Sequence, residues 1–133
     1  MVEDETRERR RFRRVFFSID DGVKGILAFS DVQRGVLAAH IINIGEGGLG
    51  LALGKDKKDR IAQGDSVILT HITGIEGLEF LVNVDAEIKW IMDNPSLEFV
   101  GFGCEFVDVP EHMSDAIRLF IDSLSAQPTG STS

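Results

Sequence analysis

A chain of 133 residues, 43% hydrophobic and 27% charged, is long enough to bury one core without disulfide or metal staples. No apolar run approaches the ~20 residues of a membrane span, so no membrane insertion is expected. The net charge of −8 is uneven: residues 7–14 carry six arginines and one glutamate, whereas from Val15 onward eight Lys+Arg face 18 Asp+Glu, a body that repels a long polyanion, so no DNA partner is expected.

The chain begins acidic and turns arginine-rich with no apolar stretch behind it, which does not fit a secretory signal. Residues 1–14 read as a flexible basic arm. Strands are expected at Val23–Ser30, Val36–Asn43, Gly48–Leu53 and Ser66–Ile72, punctuated by Asp21-Gly22 and Gly64-Asp65. Lys55–Gln63 is a charged connection with room for one helical turn, and Gly74 to Gly77 form a loop before Leu78. The clearest alternation comes next. Val82, Val84, Ala86, Ile88 and Trp90 share one face, and Asn83, Asp85, Glu87 and Lys89 share the other. Val100, Phe102, Cys104 and Phe106 repeat the pattern, and the intervening Asn94-Pro95 turn makes the two runs a hairpin.

Six or seven strands at this spacing predict an all-β domain, a closed or nearly closed antiparallel barrel. The period then changes. Met113, Ala116, Ile117, Phe120 and Leu124 recur at helical spacing, with Pro110 in the first turn and Asp108 and Glu111 placed as a capping pair. The expected division is a 1–14 arm, a 15–124 barrel with its C-terminal helix, and a disordered 125–133 tail.

Catalysis finds no foothold. His40, His71 and His112 are scattered without metal-ligand spacing, and His40 reads as a strand residue with a satisfied ring. Cys104 lies on an apolar face and has no partner for an internal disulfide, as in proteins of a reducing cytoplasm. No serine or cysteine sits in an elbow beside a base, and Gly45–Gly54 lacks the Lys-Ser/Thr ending of a phosphate loop. A non-enzymatic protein without metal or cofactor is expected.

Two stretches remain. In Arg7-Glu8-Arg9-Arg10-Arg11-Phe12-Arg13-Arg14, alternation puts Arg10 and Arg14 on one face with Phe12 between them; guanidinium forks bind phosphate and the guanine O6/N7 edge. In Asn43-Ile44-Gly45-Glu46-Gly47-Gly48, an amide that donates and accepts precedes glycines that admit a ligand close to the backbone. Read singly, the first is a solvated tail and the second a plain hairpin turn.

In this order the two stretches resemble the PilZ domain family, receptors for the bacterial second messenger cyclic di-GMP. Arg10 to Arg14 match the family's RxxxR, and Asn43 and Gly48 match its [D/N]xSxxG. Val84–Trp90, Gly101–Phe106 and the closing helix resemble its last strands and helix. The resemblance implies a PilZ-type barrel that binds cyclic di-GMP through Arg9, Arg10, Arg14, Asn43, Gly45 and Gly48. In it the arginines clamp phosphate and guanine, Asn43 reads a guanine edge and Gly48 shapes the turn. Arg9 further implies a stacked ligand pair, and the arm folds onto the barrel to engage an unidentified downstream protein.

The family's serine is Gly45 here. A lost hydrogen bond to a charged group is worth about 1.5–3 kcal/mol, so weaker binding than in a full-motif relative is expected, with Gly45→Ser equal or tighter. The alternative is a divergent adaptor that acts through protein contacts without nucleotide. A nucleic-acid binder is a third reading, opposed by the acidic body and by the lack of an exposed aromatic platform, Trp90 falling in the inward set.

Overall fold

Alternating strands satisfy their backbone groups by pairing, and a set of them hides its apolar faces and its edges by closing. The computed structural model describes residues 13–126. Seven strands, β1 (Arg14–Phe16), β2 (Lys24–Phe29), β3 (Val36–Gly45), β4 (Gly48–Gly54), β5 (Ser66–Thr73), β6 (Val84–Met92) and β7 (Phe99–Phe106), precede an α-helix, α1 (Glu111–Ala126). All pairings are antiparallel, in the order β1-β3-β2-β5-β6-β7-β4, and β4 returns to β3. Strands β2 to β7 are thus a closed six-stranded barrel. β1 is an extra strand that takes the edge of β3 at Asn43–Gly45, which β2 leaves open after His40.

Inside, Leu27, Ile41, Leu51, Leu69, Ile88 and Phe102 are fully buried. Leu78 and Leu81, from the loop after Gly74, add to this core, and α1 contributes Ile117, Phe120 and Ile121. Gly77 lies so close to the helix that a Cβ there would stand 3.1 Å from the Phe120 ring. The helix begins differently from the sequence expectation. The Pro110 carbonyl accepts the first helical bond from Ser114 N–H, 3.1 Å, so Pro110 is the N-cap and Glu111 the first helical residue. Asp108 takes φ +55° and turns the chain rather than capping it.

Three strands each carry one extra residue. Register shifts fall at Thr70 of β5, Ile42 of β3 and Lys89 of β6. An extra residue resets the alternation, so every later position in the strand changes face. Asn43 therefore points outward while Ile44 turns into the core, fully buried. Trp90 likewise points outward, 44% exposed, and Ile91 takes the inward place. The expectation that Trp90 and Val82 continue the inward set is overturned: Val82 precedes the strand, is 50% exposed, and leads into Asn83 at φ +55°.

The barrel end where β2 leaves and β3 enters is fastened by charge. Asp65 accepts from Arg34 Nη1 and Nη2, 3.0 and 2.8 Å, and from Ala62 N–H, 2.8 Å. Arg34 also lies 4.0 Å over the Phe29 ring and donates to the Arg60 carbonyl, 2.8 Å. The Arg34 hydrogen bonds hold the Asp65 carboxyl below its ordinary pKa. A depressed acid stabilises the fold above its unfolded pKa, and that contribution disappears as pH falls through the folded value. Asp65→Asn is expected to lower stability at neutral pH by about 1–2 kcal/mol. Urea melts at falling pH will show the gap to the parent closing below about pH 4.

Gly48 is required for a steric reason. A Cβ there would stand 2.0 Å from the Cys104 carbonyl oxygen of β7. Gly48→Ala is therefore expected to destabilise by about 1–3 kcal/mol or prevent folding, measured as a lower thermal midpoint.

Candidate functional site

Because the extra residues of β3 and β6 sit where they do, the outer wall of the barrel carries two neighbouring cross-strand rows. One runs Phe16, Asn43, Gly50, Gly103, Trp90; the next runs Arg14, Gly45, Gly48, Glu105, Glu87. Their centres are glycines, buried under the side chains of neighbouring strands, so the floor between β4 and β7 is low, with polar groups on one side and an indole on the other. A cavity of about 580 Å³ opens over this floor, lined among others by Arg14, Asn43, Glu46, Lys89, Trp90 and Glu105. That is within the usual range of ligand pockets.

Each wall is locked from below. Arg14 Nη1 donates to Asn43 Oδ1, 2.6 Å, and to the Gly48 carbonyl, 3.2 Å. The first bond orients the amide so that its nitrogen lies over Gly50, where a Cβ would come within 2.5 Å of it. Both bonds use Nη1, so among the described residues Nη2 and Nε keep their donors for a ligand. Burial lowers the Arg14 pKa from its ordinary value, without bringing a guanidinium near neutrality. Opposite, the indole rests on Gly103, where a Cβ would meet its Nε1 at 2.1 Å. The glycines thus make room for the side chains of neighbouring strands.

The helix reaches this wall as well. Arg118 Nε lies 3.3 Å from Glu46 Oε2 in the β3–β4 turn, and Arg118 pairs with Asp115. Arg13 Nη2 bonds Asp122, 2.6 Å. Lys89 stands 3.5 Å from Glu105 and 3.6 Å from Glu87. Among the described residues, the cavity is lined by two cations, Arg14 and Lys89, and two carboxylates, Glu46 and Glu105.

Of the residues singled out in the sequence, Arg14, Asn43 and Gly45 line the cavity. Gly48 supplies the carbonyl that Arg14 grips and has no positive φ; it is glycine for the close approach of β7 rather than for the turn. A Cβ at Gly45 would stand 3.0 Å from the Arg13 carbonyl and 3.2 Å from Arg14 Cγ. A serine therefore enters only if β1 gives by a few tenths of an ångström. Arg9, Arg10 and Phe12 lie outside the described residues.

Trp90 and Glu105 also line the cavity, and the sequence motifs do not name them. The trace they leave in the sequence is slight: glycines at 101 and 103 make room on the outward face of β7, and the Trp90 indole fills the room at Gly103. The exposed indole also removes one of the two arguments against a nucleic-acid ligand and leaves the acidic body as the other.

Cys104 lies beneath the floor, 4% exposed, its pKa pushed up to about 12 by burial, so its thiol stays protonated. The expectation of a satisfied His40 ring is not met: Nδ1 is buried with no hydrogen-bond partner among the described residues, and the ring meets Phe99 edge-on. Among the described residues no three His, Cys, Asp or Glu side chains gather as a metal site. Among the same residues, no helix is long and apolar enough to cross a membrane.

Comparison with curated protein sequences gives no match. Among solved structures, the fold is similar to the PilZ domain of Escherichia coli YcgR with c-di-GMP, at TM-score 0.65 and 15% identity, covering 93% of this chain and 97% of that one. It is also similar to the K. pneumonia MrkH–c-di-GMP complex, at 0.60 and 13%, covering 90% and 53%. The Bacillus subtilis inhibitor of motility MotI/DgrA gives 0.59 and 15%, covering 86% and 51%. The chain spans about half the length of MrkH and MotI. The sequence profile of the PilZ domain matches residues 8–123. With the closed barrel, the added first strand and the C-terminal helix all in place, the chain belongs to the PilZ domain family.

Proposed function

We propose that this chain is a non-enzymatic receptor for cyclic di-GMP, working in the cytoplasm, with the ligand seated on the glycine floor between Arg14–Asn43 and Trp90. The observation that carries this reading is that outer wall: a forked cation hydrogen-bonded to an amide that lies over Gly50, beside an aromatic ring that lies over Gly103. Cyclic di-GMP offers what each part can hold, namely phosphate and O6/N7 acceptors for the guanidinium, a base edge for the amide, and a purine face for the indole. The YcgR and MrkH structures of the same fold are complexes with c-di-GMP.

Charge supplies the next step. The lining side chains, two cations and two carboxylates, balance to zero, so a ligand with two phosphates needs further cations. The segment just before β1 holds them: Arg7, Arg9, Arg10 and Arg11. In this proposal Arg10 joins Arg14 on phosphate and guanine, and Arg9 serves a second, stacked ligand. Neutralisation by the phosphates folds the segment onto the barrel. The altered surface, including the β3–β4 turn held by Arg118, then engages a downstream protein. Gly45 favours a second reading, an adaptor that has lost the nucleotide, because the motif's hydroxyl is missing.

Titration separates the two. Trp90 is the only tryptophan, so its fluorescence reports the site alongside calorimetry. Saturable heat and an indole signal with cyclic di-GMP are expected, and the heat gives the stoichiometry. Silence at roughly tens of micromolar ligand leaves the adaptor. Arg14→Ala is expected to weaken binding at least about tenfold, and Trp90→Ala by about five- to a hundredfold. Unchanged affinity in both variants, with binding intact in the parent, places the ligand elsewhere.

A further inference from the structure

Two carboxylates line the cavity, and they are held differently. Glu46 is bound to Arg118 on the helix, and its side chain is only 22% exposed. Glu105 is 61% exposed and meets only Lys89 among the described residues, at 3.5 Å, while that lysine is shared with Glu87. Lys89, at 3.5 Å, leaves the carboxylate oxygens open as acceptors. Glu105 stands two residues along β7 from Gly103, on which the Trp90 indole rests, and across two glycines from Arg14. A purine lying against that indole presents one edge to it.

The two purines differ at that edge. Guanine offers two donors, N1–H and the N2 amino group, which one carboxylate accepts together. Adenine offers a bare N1 lone pair and no N2 group. The opposite edge of guanine, O6 and N7, suits the guanidinium on the far side of the floor.

We propose that Glu105 makes this cavity select guanine over adenine by accepting N1–H and N2–H from the base stacked on Trp90; the assignment rests on the receptor reading above. A carboxylate beside a dianionic ligand also repels its phosphates, and this gives the test its sign. Were repulsion the whole role of Glu105, removing it would tighten guanine and adenine ligands alike.

The experiment titrates the parent and the Glu105→Ala and Glu105→Gln variants with cyclic di-GMP and with cyclic di-AMP. The exposed position of Glu105 leaves the fold intact, which a thermal melt verifies. In the parent, preference for the guanine ligand is expected. In Glu105→Ala, affinity for cyclic di-GMP is expected to fall about ten- to a hundredfold while that for cyclic di-AMP is unchanged or rises, so the preference collapses. Glu105→Gln, with one acceptor and an unwanted donor, should fall between. Parallel changes for the two ligands in Glu105→Ala, or a preserved preference, overturn the role of Glu105 and leave the receptor reading standing. A parent that binds neither ligand sinks the receptor reading and this assignment with it.

Discussion

One extra residue in β3 and one in β6 decide what the outer wall of this barrel presents. A strand alternates with period two, so every inward position fixes its neighbours as outward. Uninterrupted, β3 would carry Leu37, Ala39, Ile41 and then Asn43 to the core, and β6 would carry Ile88 and then Trp90. The extra residues, Ile42 and Lys89, reset both strands. Ile44 and Ile91 inherit the inward places, which keeps the interior apolar. Asn43 and Trp90 are turned outward onto one row with Gly50 and Gly103 between them. The core is thus continuous while the wall acquires a cleft.

The same two residues separate what is legible in the sequence from what is not. Barrel, hairpin and helix emerge from patterns that persist over many residues, such as Val100 to Phe106 or Met113 to Leu124. The motif residues Arg14 and Asn43 are visible because they lie in a recognisable order. The far wall is not, since a bulge leaves no mark on composition: Lys89 is as ordinary in an alternating strand as in an irregular one. Alternation alone consequently assigns Trp90 to the core. The helix start errs for a related reason, because Asp108 has the identity of a cap but a backbone turned to φ +55°.

The two ends of β3 have separate duties. Its first residues lie beside the Arg34–Asp65–Phe29 cluster, fastened by hydrogen bonds and a ring contact far along the strand from the cleft. Its last residues carry Asn43 and Gly45 and receive β1. A closed barrel between them is stiff, and the helix adds a second hold on the cleft end through Glu46–Arg118 and Arg13–Asp122. The groups at the cleft are therefore fixed in position in advance.

The short first strand has one more consequence. Two arginines stand side by side at its start, and the one that faces the cleft is chosen by phase alone. Arg14 points outward because Val15 beside it packs toward the core opposite Ile44. A polar residue at position 15 would free the strand to slide by one place and send Arg13 to the cleft in its stead. A side chain that never touches the cleft thus chooses which cation guards it.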